Sequence, residues 1–186
     1  NMQLLRYAGE NGLAAYGVLM YVSFVFISLF IGYAIGTAPV FGFHYGAQNH
    51  RELRSLLKKS FVIIGITSVV MLVLSLILAR PLAKIFVGYD EPLCDLTERA
   101  FVINAFSLLF VGVAIFSSSF FTALSDGVTS AVIAFLRTLV FQVAAVMLLP
   151  LIFDVDGIWA SVIAAELAAS VLGILFIALK RKKYGY

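Results

Sequence analysis

The sequence predicts an all-α membrane protein, a polytopic helical bundle of about five full transmembrane helices plus the end of a sixth. Three observations carry this. Residues 11–43 contain no Asp, Glu, Lys, Arg or His, residues 60–79 and 100–125 are equally free of charge, and residues 129–153 and 157–179 each hold one ionisable side chain. A bilayer core about 30 Å thick is crossed by roughly 20 mainly apolar helical residues. Hydrophobic residues make up 62% of the chain and charged residues 12%, against roughly 45–50% and 25% in soluble domains. The basic residues cluster at the ends of the apolar runs, which is a topology signal and not a nucleic-acid surface.

The spans follow in order. The first covers residues 12–43 and is expected to end or bend near Pro39, because proline removes a helical hydrogen bond. The second covers 60–79 and is expected to stop at Arg80-Pro81. The third, 100–124, ends at Ser125-Asp126-Gly127, a turn signal that can also cap the next helix. The fourth, 129–153, and the fifth, 157–179, form an antiparallel hairpin across Asp154-Val155-Asp156-Gly157. Asn1 to Arg6 reads as the tail of an earlier helix. The chain does not begin with Met, and the expectation is a fragment cut upstream.

Orientation follows from Lys and Arg in the connections. Arg51, Arg54, Lys58 and Lys59 lie between spans one and two, and Lys180, Arg181, Lys182 and Lys183 follow span five. Five spans place both groups on one side, read as cytoplasmic. The other side holds Arg6, Arg80, Lys84 and Arg99, diluted by Glu10, Asp90, Glu91, Asp95 and Glu98. The expected location is a multi-pass protein of the cell (inner) membrane with a cytoplasmic C-terminus.

Arg137 and Glu166 are the two strongly ionisable residues well inside spans. A charge at mid-bilayer costs at least ~2.5–3.5 kcal/mol, so each must meet a partner or water. At ~1.5 Å per residue on antiparallel helices their depths differ by only several ångströms, and they are expected to pair or share a polar network. Two readings stay open for Glu166: a structural ion pair, or a carboxylate that exchanges a proton, a sodium ion or a cationic substrate. Arg137 would modulate it, or snorkel to the interface.

Gly32, Gly36 and Pro39 in the first span, with Gly42 and Gly46 beyond, combine GxxxG spacings with a proline, which suits close helix packing or a bendable hinge. Tyr33, Asn104, Ser107 and Gln142 are candidates to line a substrate cavity. Ser117, Ser118, Ser119 and Thr122 either line it too or bond neighbouring helices. Phe110, Phe116, Phe120 and Phe121 would wall an apolar cavity or face core and lipid. His44 and His50 lack the spacing of a zinc helix, and the single Cys94 forms no internal disulfide. No nucleophile–base pair, phosphate loop or metal-carboxylate set occurs in the spans, so neither an enzyme nor a metal site is expected.

Ordered patches of the chain resemble the multidrug and toxic compound extrusion (MATE) transporters. They are Gly9-Glu10-Asn11-Gly12-Leu13-Ala14-Ala15-Tyr16, Gly32, Gly36, Ala38-Pro39, Tyr45-Gly46-Ala47, Phe135-Leu136-Arg137 and Gly157-Ile158-Trp159-Ala160 followed by Glu166. The resemblance implies a twelve-helix transporter of two lobes, with residues 1–186 a single lobe from the end of helix seven through helix twelve and the N-terminal lobe missing. It implies alternating-access export of cationic or amphipathic compounds in exchange for sodium ions or protons, with no other cofactor. The partners implied are such a small molecule, the lipid bilayer and the absent lobe of the same polypeptide. Many members carry an acid in the tenth helix. The matching third span has none, and Asn104 is its only amide. The alternatives are a lipid-linked oligosaccharide or polysaccharide flippase of the same superfamily, which would favour several basic cavity residues, or a non-transporting membrane assembly subunit.

Overall fold

The computed structural model describes residues 2–186, with side chains from residue 4 onward. Seven α-helical segments follow one another: α1 Met2–Gly46, α2 His50–Val87, α3 Glu91–Ala105, α4 Leu108–Ala123, α5 Gly127–Phe135, α6 Gln142–Leu148 and α7 Pro150–Tyr184. A π-helical turn, Leu136–Phe141, joins α5 to α6, and no strand occurs among the described residues. Four of these stretches are long and apolar enough to cross a membrane, and α3 with α4, bent by 51°, makes a fifth. In lipid every backbone group must be paired within the segment, which is why the uncharged runs are all helical.

Local chemistry sets the boundaries. Gly9 breaks α1 with φ 60° and ψ −152°, a conformation that only glycine takes cheaply. The helical residues before it are the end of the sixth helix; Asn1, part of that expected tail, lies outside the described residues. Asn49 caps α2 by accepting from the Glu52 N–H, Asp90 caps α3 by accepting from Leu93, and Asp126 caps α5 by accepting from Thr129. A second break, Asp154 at φ 49° and ψ −129°, turns the hairpin between α6 and the long part of α7. At Gly157 a Cβ would lie 2.4 Å from the Leu149 carbonyl oxygen, so the turn closes only over glycine.

The stop expected at Arg80-Pro81 is corrected, and the first span does not end at Pro39. α2 does not stop at Arg80-Pro81 but runs to Val87, and α1 passes Pro39 with helical dihedrals as far as Gly46. Membrane helices tolerate proline because neighbouring groups re-satisfy the freed carbonyls. The carbonyl that Pro39 frees is that of Ile35; the hydroxyls nearby bond other carbonyls, Thr37 that of Tyr33 and Ser119 of α4 that of Ala34. On either side of Pro81, the buried small residues Ala79 and Ala83 keep α2 in the core around Leu93 and Phe101 of α3.

α4 is the central element and packs on α1, α2, α5 and α7. Glycine permits its closest approaches: a Cβ on Gly112 would lie 2.6 Å from the Phe30 ring, and one on Gly173 of α7 would lie 2.6 Å from Ser117. Gly32 and Gly36, expected to be packing glycines, have nothing within 4 Å of a Cβ in this chain. Close packing here is carried by Gly112 and Gly173 instead. Ser118 and Thr122 bond Ser130 of α5, so the serine-rich stretch of α4 stitches helices together.

Two apolar cores stack along the bundle. One surrounds Trp159, Phe101 and Leu19 near the 88–90 and 154–156 turns. The other gathers Phe41, Phe116, Phe120, Phe121, Tyr184 and Tyr186 near the 47–49 and 124–126 turns, the basic end. Its rings meet edge to face, Phe41 on Phe120 at 5.2 Å and Tyr186 on Phe120 at 5.0 Å. Phe116, Phe120 and Phe121 are therefore core residues, not cavity walls.

Candidate functional site

The fourth span would present the wrong face without its π turn. Thr129 and Ile133 are the buried residues of α5 and Ala145 that of α6. In an unbroken α-helix at ~100° per residue, Ala145 would point about 120° away from Ile133. One residue absorbed by the π turn restores it to within about 20° of the same face. Thr138 and Val140, β-branched and poor α-helix formers, lie in that turn. Arg137, its second residue, sits one turn beyond Ile133 and so leans toward α7.

On α7 the residues Ser161, Ala165, Ala169 and Gly173 form a small, buried stripe that lets neighbouring helices close in. Glu166 stands beside that stripe and is itself buried. Arg137 grips it as a fork: Nε donates to Oε1 at 3.1 Å and to Oε2 at 3.0 Å, and Nη2 donates to Oε1 at 2.8 Å. Both carboxylate oxygens are engaged, the strong bidentate form of the interaction. The Glu166 side chain is 11% exposed and that of Arg137 25% exposed.

Glu166 borders a cleft of about 290 Å³ between α1, the α3–α4 bend, α6 and α7. Asn104, Ser107, Gln142 and Glu166 all line it. The bend is what brings Asn104 and Ser107 there. At residues 105–107 the backbone tightens to three-residue turns, with the Phe106 N–H donating to Ile103 and the Ser107 N–H to Asn104. Asn104 Nδ2 then donates to Ser23 Oγ of α1 at 3.0 Å. Broken helices that expose polar groups at such a depth are how membrane proteins build binding sites.

Tyr33 lies elsewhere. Its hydroxyl donates to Ser60 Oγ at 2.8 Å, and it lines a separate notch of about 180 Å³ between α1 and α2. Pro39, Gly32 and Gly36 stay on α1 away from the cleft lining. Tyr16, Ser23 and Val162 line the cleft and were not anticipated. A serine and a tyrosine in an uncharged run give no signal without the partners that rotate them inward. No group of three or more His, Cys, Asp or Glu residues among the described residues could hold a metal ion.

A second polar cluster holds the basic end together. Asp126 accepts from Thr129 Oγ1 at 2.7 Å, Lys180 Nζ at 2.7 Å and Tyr184 Oη at 2.6 Å. Burial alone would raise this carboxyl, but the hydrogen bonds from Lys180, Tyr184 and Thr129 prevail and hold it well below the usual carboxylate range. Opposite, exposed ion pairs join Arg80 to Asp95 and Glu98, and Arg99 to Asp156, tying α2 to α3 and α3 to α7.

Comparison with known proteins places this geometry. The MatE family model matches residues 1–148. No curated protein matches the sequence. An outward-facing multidrug resistance MATE family transporter of the MOP superfamily superposes with a TM-score of 0.91 at 19% identity, over 98% of this chain and 41% of that one. A MOP superfamily transporter from Pyrococcus furiosus, described as having a binding pocket of reverse polarity, gives 0.90 at 20% identity over 100% and 42%. The bent form of a Vibrio cholerae MATE transporter gives 0.90 at 17% identity over 98% and 42%. The chain thus has the fold of these transporters and spans about two-fifths of their length.

Proposed function

The chain belongs to the MatE family, and from that membership we propose that the whole protein is a secondary active transporter exporting cationic or amphipathic compounds in exchange for sodium ions or protons. In this reading residues 1–186 are the C-terminal lobe and rock against an N-terminal lobe of the same polypeptide, with residues 180–183 on the cytoplasmic side. The observation that carries it is the part-buried Arg137–Glu166 fork, whose Glu166 lines a mainly apolar cleft with Asn104, Ser107 and Gln142.

Glu166 is the coupling carboxylate and Arg137 its modulator. With both oxygens held by Arg137, Glu166 is closed to another cation. Loading a proton or sodium ion means replacing the guanidinium, which frees Arg137 on its more exposed side. The coupling ion must favour one access state over the other, since equal affinity for both would drive nothing. Asn104, Ser107 and Gln142 offer neutral hydrogen-bonding groups to cargo. Gly32, Gly36 and Pro39, unpacked in this chain, give α1 room to flex. A polyanionic lipid-linked cargo is disfavoured because no Arg or Lys lines the cleft and the nearby Arg137 is neutralised by Glu166.

Dye efflux by the full-length protein and its Glu166→Gln variant, at matched surface levels and under separate sodium and pH gradients, tests this. Efflux that follows one gradient and is lost in the variant supports the coupling role. Normal pumping by the variant makes Glu166 structural, and no efflux by the parent under either gradient removes the drug-export reading.

A further inference from the structure

A cleft of about 510 Å³ lies at the basic end between α2 and α7 and takes no part in the site described above. Its two walls repeat one pattern. On α2, Phe61 lies on the membrane side of Arg54 and Lys58, with Leu57 between the two cations; on α7, Ile174 and Ile177 lie on the membrane side of Arg181. Seven residues separate Arg54 from Phe61, and seven separate Ile174 from Arg181, so the apolar floor runs about 10 Å inward from the basic rim. A smaller adjoining cleft of about 300 Å³ extends the rim to Lys182. Its roof is Tyr186, which folds back through Gly185 at φ 76° and donates to the Ile177 carbonyl at 3.1 Å.

No acid lines either cleft. Among the described residues Arg54, Lys58 and Lys182 form no ion pair, and Arg181 spends one N–H on the Tyr186 carbonyl. Four cations thus crowd one rim that no Asp or Glu side chain lines. An amphipathic cleft at a membrane boundary, cationic outside and apolar within, is complementary to one kind of molecule that is always present there. We propose that this cleft binds an anionic phospholipid of the adjacent leaflet, its phosphate between Arg54, Lys58 and Arg181 and the upper part of one acyl chain against Phe61 and Ile174. The site would fasten α2 to α7, which make little direct contact at this end, through a lipid.

Native mass spectrometry of the full-length protein, titrated with phosphatidylglycerol or phosphatidylcholine of equal chain length, tests this without reference to cargo. Phosphatidylglycerol should be retained in preference, and Arg54→Gln with Lys58→Gln should weaken it by about fivefold per charge removed, about 25-fold together. The exposed pair Arg51→Gln with Lys59→Gln removes the same charge from the same helix outside the cleft and should leave retention unchanged. Equal retention of the two lipids overturns the proposal, as does equal weakening by the two double variants. Displacement of phosphatidylglycerol by millimolar inorganic phosphate also overturns it, since the site would then read a free anion and not a lipid.

Discussion

Removing both halves of the Arg137–Glu166 fork should cost far less than the sum of removing each alone. Opposite charges ~4 Å apart interact by about 4 kcal/mol at an effective dielectric near 20. Glu166 is 11% exposed, and the 25% exposure of Arg137 reduces that figure. Stripping one partner from such a pair strands the other and costs about 3–5 kcal/mol, whereas removing both relieves the stranded charge. Glu166→Gln, Arg137→Gln and the double variant, unfolded by detergent titration in mixed micelles, should therefore show a coupling of about 2–4 kcal/mol. Arg99–Asp156, at 66% and 36% exposure, is the internal control and should couple by about 0–1 kcal/mol. A double variant whose loss equals the sum of the singles within about 0.5 kcal/mol would refute the low-dielectric fork.

Gly112→Ala forces a methyl against the buried Phe30 ring and should destabilise by about 1–3 kcal/mol in the same titration, while Gly32→Ala, with open space around it, should stay within about 0.5 kcal/mol. Asp126→Asn should lose roughly 1–3 kcal/mol at neutral pH, since Lys180 and Tyr184 lose their charged acceptor. Because the Asp126 carboxyl is depressed in the folded protein, its contribution is complete above the ordinary aspartate value of about 3.9 and is lost as pH falls below it. The stability gap between parent and Asp126→Asn, followed by thermal unfolding, should therefore be constant at mild pH and shrink only on strong acidification. Pro39→Ala should insert into the membrane normally but slow turnover in the efflux assay; unchanged transport would remove the hinge role from α1.

The membrane bundle was legible in the sequence because lipid offers the backbone no hydrogen-bond partner, so uncharged length translates almost directly into helical spans. The fork was legible for a related reason. Two charges inside adjacent antiparallel spans, at nearly equal depth, have no better option than each other. Asp126 announced itself as a turn and a cap, though not as the acceptor for Lys180 and Tyr184, which come from the far end of the chain. Side-chain facing was not legible. Asn104 and Tyr33 read alike as polar residues in apolar runs, yet the 51° bend carries Asn104 into the cleft while Tyr33 turns to Ser60 on α2. Gly112 and Gly173 carried no spacing signal but make tight contacts between helices, whereas of the GxxxG glycines of α1 only Gly42 meets a neighbour, the Ala123 carbonyl oxygen 3.3 Å from an added Cβ. Pro81 reads as a stop, yet α2 continues to Val87. Composition and charge fix what must lie in the membrane and which charges must pair; the rotation of each helix, set by a single π residue, a bend and the fit of small side chains against large ones, is decided only when the helices pack.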